Sequence, residues 1–294
     1  VPNDAIAGLF PGQGSQSADL RAGVERFAPD LLERCCALVG EDPFPRVAQD
    51  TRFAQPAIYC ASIASWIAHG PSVRPIALAG HSLGELSALV AAEALTPQAG
   101  LQLAVRRGEL MSAACARDDG MLAVVGASEA QVAQLVSEHG VFIANHNSPD
   151  QVVVAGSLCS LRAVAGRVRE WGARAVTLEV AGAFHAPGMA KAAERFRAAL
   201  DSVEIGLPTV PVISGSSAAP FKDVRAELAQ AIVRPVRWRS TMLALSRLGA
   251  HAFIDFGPGA VVARLVRRNL PDARVIELGE LEHGIPAGAR NAVA

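Results

Sequence analysis

The chain has 294 residues, of which 51% are hydrophobic and 19% charged, and its net charge is −1. This mixture excludes a disordered chain, and the near-neutral balance excludes a whole-chain nucleic-acid or membrane-surface binder. No uninterrupted apolar run reaches the ~20 residues that a membrane span needs. The cysteines (Cys35, Cys36, Cys60, Cys115 and Cys159) are odd in number and form no CxxC pair. Neither a disulfide framework nor a zinc site is expected, and free thiols fit a reducing cytoplasm. The start, at Val1, lacks both an initiator Met and a basic n-region, and it reads as a trimmed end rather than a signal peptide.

In chain order, residues 6–10 form a short apolar strand that runs into the glycine-rich loop 11–16. Apolar residues at helical spacing predict a helix over 20–39, and a second over 55–68 is begun by Gln55-Pro56 with Pro near N1. Residues 75–79 form an apolar strand. The sequence Gly80-His-Ser-Leu-Gly84 follows, then a small-residue helix over about 85–94 and another from Thr96-Pro97 to about 116. The rhythm then changes. Strands over 121–125, 141–144, 151–155 and 174–180 alternate with helices over 128–138 and 158–171. The order β-α-β-β-α-β is the split βαβ of ferredoxin-like domains. Beyond it come helices over 190–202, 224–232 and 239–248, strands over 210–213 and 251–256, and a helix from 260. Residues 279–294 are Gly/Ala-rich and read as frayed. The expected architecture is α/β: a body of residues 1–118 and 186–294 with a mostly parallel sheet, interrupted by a small subdomain at 119–185.

Gly80-His-Ser82-Leu-Gly84 matches G-x-S-x-G, a weak pattern alone but one that sits here between an apolar strand and a helix. That is the context of a nucleophile elbow, in which the glycines permit the sharp turn and the helix amides favour a developing oxyanion. A serine nucleophile needs a base. Of the seven histidines, His69, His139, His251 and His283 lie at helix ends, turns or the tail. His81 adjoins Ser82, but a sharp turn should aim its ring away; His146 lies in the Asn145-His-Asn147 loop. His185, where the subdomain rejoins the body, would overlie the crevice at the strand ends and is the preferred base. No acid partner is evident, because Asp118, Asp119 and Asp150 all sit in turn-like contexts. A main-chain carbonyl could orient the ring instead.

Phe10-Pro-Gly-Gln-Gly-Ser-Gln16, Gly80-His-Ser-Leu-Gly-Glu85 and Gly182-Ala-Phe-His185 together resemble the malonyl-CoA:acyl-carrier-protein transacylases and the acyltransferases of polyketide synthases. Gln55-Pro56, Arg107-Gly108, Asn145-His-Asn-Ser-Pro149, Pro235-Val-Arg-Trp238 and Gly257-Pro-Gly259 fall in the same order as in that family, so the resemblance spans roughly residues 5–275. It implies an α/β-hydrolase-like body with an inserted ferredoxin-like (βαββαβ) subdomain. It implies Ser82 as nucleophile, His185 as base, and the main-chain N–H groups of Gln13 and Leu83 as the oxyanion hole. Arg107, with Gln55 nearby, would hold the malonyl carboxylate, and Ala231 would supply the carbonyl that orients His185. Phe184 before the histidine, and Leu83 after the serine, go with malonyl rather than methylmalonyl in the polyketide relatives. Of the helix neighbours Arg106 and Arg107, only one can face inward.

The implied activity is transfer of malonyl from malonyl-CoA to the phosphopantetheine thiol of an acyl carrier protein, with no metal or other cofactor. Alternatives are an acyl-thioester hydrolase, a transferase of larger acyl groups between carriers, or a non-catalytic docking domain. The last would not need Ser82, His185 and Arg107 together. A monomer is expected. Lys191, Arg195 and Arg197, or Arg264, Arg267 and Arg268, are candidate docking cations for an acidic carrier.

Overall fold

A computed structural model of the chain describes residues 5–16, 20–180 and 182–282. The start at Val1, and the part of the expected frayed tail beyond residue 282, lie outside the described residues. The chain opens with β1 (Ile6–Phe10), buried along its whole length as a central parallel strand should be. The expected 20–39 helix is two helices, α1 (Leu20–Phe27) and α2 (Pro29–Val39). Pro29 lacks an N–H and disfavours helical geometry at the preceding residue, and Ala28 accordingly sits at φ −148°, ψ 54°. α3 (Thr51–His69) starts four residues before the expected 55, capped by the Asp50 side chain on the Arg52 N–H. Pro56 therefore lies inside the helix and not at its first position. α3 is buried on most of its faces; Ile58 and Ile63 are fully buried, worth roughly 1.5–3 kcal/mol each.

β2 (Ala77–Gly80) leads through the 80–84 turn into α4 (Gly84–Ala91), shorter than the expected 85–94. α5 (Pro97–Ala113) is capped by Thr96. The small unit follows as β3 (Asp119–Val125), α6 (Glu129–His139), β4 (Phe142–Ser148), β5 (Gln151–Ser157), α7 (Leu158–Glu170) and β6 (Arg174–Thr177). Ser128 and Gln131 form a reciprocal capping box at the start of α6. The sheet order β4-β5-β3-β6, antiparallel throughout, is the ferredoxin-like arrangement expected from the sequence. β6 ends three residues before the expected 180.

The body resumes with α8 (Ala190–Asp201), β7 (Val212–Ile213), α9 (Val224–Ala231), α10 (Trp238–Arg247), β8 (Ala252–Asp255) and α11 (Val261–Asn269). β9 (Arg274–Ile276) and α12 (Leu278–Glu282) were not expected, the latter falling in the segment read as frayed. The body sheet runs β7-β2-β1-β8-β9, with every pair parallel. Successive strands leave β1 first on one side and then on the other. The reversal opens a crevice beyond the carboxyl ends of β1 and β2. Both glycine-bearing loops, 11–16 and 80–84, emerge there.

Candidate active site

The turn between β2 and α4 can be made only with glycine at both ends. A Cβ on Gly80 would lie 1.9 Å from the Gly84 carbonyl carbon, and one on Gly84 would lie 2.1 Å from the Phe10 carbonyl oxygen. Both obstacles are backbone. Between them Ser82 adopts φ 54°, the left-handed region that costs a side-chain-bearing residue ~1–3 kcal/mol. The strain lifts the hydroxyl above the strand ends at the head of α4.

His185 comes from the segment that returns the chain to the body, and its backbone is also left-handed, with φ 57°. Its Nε2 lies 2.8 Å from Ser82 Oγ. On the far side Nδ1 lies 2.8 Å from the Ala231 carbonyl and 3.2 Å from that of Arg234. Carbonyls only accept, so Nδ1 carries the proton and Nε2 is left bare to receive one from Ser82. Burial, reinforced by the nearby Arg107 guanidinium, pushes the imidazole down to about 3, so the ring is neutral at neutral pH. The second carbonyl, of Arg234, went unread in the sequence because a main-chain role leaves no side-chain signature.

Arg107 is buried on α5, whereas Arg106 is exposed and pairs with Glu109. Arg107 Nη1 donates to Gln55 Oε1 at 2.7 Å, and Nη2 to Ser82 Oγ at 3.0 Å. With its lone pair engaged by the guanidinium, the serine proton is directed at His185. Burial lowers Arg107 to about 10 against the opposing pull of Glu85, which leaves it charged. Glu85, only 2% exposed in the first turn of α4, is pushed up to about 7 by burial. Its Oε1 accepts the Gly215 N–H at 2.7 Å.

Gln13 and Leu83 flank the hydroxyl from the two glycine-bearing loops, and both line the cavity around Ser82. Among the described residues, neither main-chain N–H has a hydrogen-bond partner. Two unengaged donors beside this hydroxyl are suited to hold a developing oxyanion. The cavity measures about 70 Å³, and its lining includes Gln55, Met111, Met121 and Phe184. It shares Gln13, His81, Asn145, Leu178 and Val180 with a wider cleft of about 650 Å³. His81 turns to Asn147 Oδ1 at 2.9 Å, so the imidazole in contact with the serine is that of His185. Met111, Met121 and Glu85 had no assigned part in the sequence reading.

Of the candidate docking cations, Arg264 and Arg268 line the wider cleft, whereas Lys191, Arg195, Arg197 and Arg267 line neither it nor the cavity around Ser82. Arg197 pairs with Asp201, Arg267 with Glu277 and Arg268 with Asp150, while Arg264 donates to the Gly259 carbonyl. Lys191 and Arg195 are exposed on α8. Among the described residues, no cluster of three or more metal-ligating side chains occurs, and no helix is long and apolar enough to cross a membrane.

The acyl transferase domain family matches residues 38–285. The chain belongs to this family. Among similar acyl transferases is the polyketide biosynthesis malonyl CoA-acyl carrier protein transacylase PksC of Bacillus subtilis. It is 35% identical over 288 residues, covering 92% of this chain and 99% of PksC. The polyketide biosynthesis protein ThaF of Burkholderia thailandensis is 39% identical over 279 residues, covering 90% of this chain, which spans only 24% of that longer protein. Among solved structures, FabD from Acinetobacter baumannii superposes with a TM-score of 0.87 at 33% identity, covering 95% of this chain and 96% of that one. The resemblance read from the glycine-bearing motifs and the α/β fold expected with it both stand.

Proposed function

We propose that this acyl transferase moves a malonyl group from malonyl-CoA to the phosphopantetheine thiol of an acyl carrier protein, in fatty-acid or polyketide synthesis. The observation that carries the reading is a buried guanidinium 3.0 Å from a serine hydroxyl that is itself 2.8 Å from a neutral imidazole. Hydrolysis of a neutral acyl ester has no use for a buried cation beside the nucleophile, whereas a dicarboxylyl substrate does.

Ser82 Oγ attacks the thioester carbonyl as His185 Nε2 takes its proton. The Gln13 and Leu83 N–H groups receive the oxyanion. The carbon–sulfur bond breaks, the imidazolium returns the proton to the CoA sulfur, and a malonyl-serine ester remains. The carrier thiol then attacks that ester with His185 again as base, and Ser82 regains its proton on release. Arg107, oriented by Gln55, moves its Nη2 from Ser82 to the malonyl carboxylate and fixes the ester for attack by thiol rather than water. Phe184 walls the volume that an α-methyl group would need. Ala231 orients the histidine.

Within this reading, residues 1–118 and 186–294 form the body and 119–185 a subdomain that closes over the crevice. The enzyme acts as a cytoplasmic monomer on two partners, malonyl-CoA and carrier protein, without a cofactor. Intact-mass measurement after mixing with malonyl-CoA tests it. The wild type should gain one malonyl group and pass it to a holo carrier, and Ser82→Ala should gain none. Release of free malonate without transfer would make the protein a hydrolase.

A further inference from the structure

We propose that Thr51 is a positioning residue that locks the oxyanion loop and the carboxylate clamp into one hydrogen-bonded unit. The proposal rests on the acyl-transfer reading above and concerns a residue outside its set of catalytic and substrate-binding groups. Thr51 is the first residue of α3 and is 1% exposed. Capping of the helix is done by Asp50, so the threonine hydroxyl is not needed there. It faces the site instead. Its Oγ1 lies 2.9 Å from Gln13 Oε1 and 3.0 Å from Gln55 Nε2.

The chemistry of these contacts fixes their direction. An amide oxygen only accepts, so the Thr51 hydroxyl donates its single proton to Gln13; its lone pair then accepts the Gln55 N–H. This orders both glutamines. Gln55, with its nitrogen held toward Thr51, must present Oε1 to Arg107, and Nη1 is found there at 2.7 Å. The guanidinium is planar and rigid, so holding Nη1 also sets Nη2, which meets Ser82 Oγ at 3.0 Å. In the other direction, the Gln13 side chain ties down the loop whose main-chain N–H faces the cavity. One hydroxyl thus joins the loop after β1, the start of α3 and the inward arginine of α5.

The backbone is fitted to the same purpose. A Cβ on Gly108 would lie 3.0 Å from the Thr51 carbonyl oxygen and 3.0 Å from Arg52 Cα. Glycine immediately after Arg107 therefore lets α5 approach α3 at the turn that carries Thr51. The inner side of the relay is dry, since Gln55 and Arg107 are 2% and 5% exposed. On that side an unpaired Gln55 amide would turn toward other partners, whereas the Gln13 side borders an open cavity lined by Gln13 and Thr51.

Thr51→Val keeps the shape and removes the hydroxyl, while Thr51→Ser keeps the hydroxyl. Three readouts decide: kcat/KM for malonyl-CoA and for acetyl-CoA, the rate at which a fluorophosphonate labels Ser82, and the melting temperature. In labelling, the Oγ–P bond forms, fluoride leaves and the serine proton passes to His185, with the phosphonyl oxygen in the oxyanion hole. Thr51→Val should slow both malonyl loading and labelling about tenfold or more, and lower the malonyl-to-acetyl ratio, as expected for two lost buried hydrogen bonds. Thr51→Ser should recover to within about threefold on both counts. Rates of Thr51→Val within about twofold of wild type, or a serine variant as slow as the valine one, would overturn the proposal. Should the wild type take up no malonyl, the substrate reading fails by itself. Slowed labelling in the valine variant, restored in the serine variant, would still support the positioning role, and unchanged labelling would refute it.

Discussion

Replacing Arg107 with alanine tests the proposed carboxylate clamp directly. The side chain is 5% exposed and is the only guanidinium or ammonium among the described residues that line the cavity around Ser82. A malonyl carboxylate entering that cavity without it would be a desolvated anion facing Gln55, two methionines and Phe184. Removing one partner of a buried, hydrogen-bonded charge pair costs about 2–5 kcal/mol, and each 1.4 kcal/mol is a factor of ten. Malonyl loading should therefore fall by about 30-fold to about 4,000-fold. Acetyl carries no such charge. Its loading should fall far less, or rise, because the guanidinium that helps to hold His185 down to about 3 is gone and the base becomes stronger.

The fold should survive the change. The charge left behind is that of Glu85, already pushed up to about 7, and it escapes the penalty by taking a proton. The assay is kcat/KM for malonyl-CoA and acetyl-CoA in wild type and variant, with melting temperatures alongside. The ratio of the two substrates is diagnostic, since partial unfolding lowers both together. Equal losses would refute the clamp and remove much of the argument for a dicarboxylyl substrate.

Phe184→Ser should raise methylmalonyl loading relative to malonyl in a competition assay, since one methyl is worth about 1–3 kcal/mol in a fitted pocket; an unchanged ratio would mean that the ring does not wall the acyl site. With His185 held at about 3, kcat/KM should show no acid limb near pH 6.5, and an inflection there would mean a solvated, unperturbed imidazole. Glu85→Gln bears on stability. A carboxyl raised from 4.5 to about 7 on folding gives stability that is fully present below pH 4.5 and lost as pH rises through 7. The variant, which can still accept the Gly215 N–H, should therefore gain on the wild type in melting temperature between pH 5 and pH 8. A constant difference across that range would show that Glu85 is not titrating in the fold.

The strand–elbow–helix unit was legible because each part has a local cause. Buried parallel strands read as apolar runs, and Gly80 and Gly84 mark a turn that tolerates no Cβ. The ferredoxin-like unit was legible for the same reason: strands and helices alternate in it over short, separate segments, and Ser128 marks the start of one helix. What escaped the sequence depends on contacts across the fold. The break at Pro29 was overridden in the reading by apolar spacing that continues on both sides of it. The true start of α3 was hidden because Pro56 looks like a first-turn proline, although the Asp50 cap lies further back. β9 is three residues long and is defined by its pairing to β8, which no local pattern announces. In the site, Ser82, His185 and Arg107 could be named, whereas the Arg234 carbonyl and the Thr51 link could not. Their part comes from where distant segments meet.

Ser82 and His185 share an uncommon backbone geometry. Both sit in left-handed backbone, at φ 54° and 57°. Together they hold ~2–6 kcal/mol of local strain, a large fraction of the stability of an ordinary domain. The strain is held by elements that cannot give way: the Gly80–Gly84 contact with β1 on one side, and the Ala231 and Arg234 carbonyls gripping Nδ1 on the other. These restraints come from the body sheet and from the end of α9 and the segment after it, which belong to different stretches of the chain. The 2.8 Å contact between Oγ and Nε2 is therefore set by the packing of the whole body, and substitutions at Gly84 or around Ala231 should reach the chemistry without touching substrate.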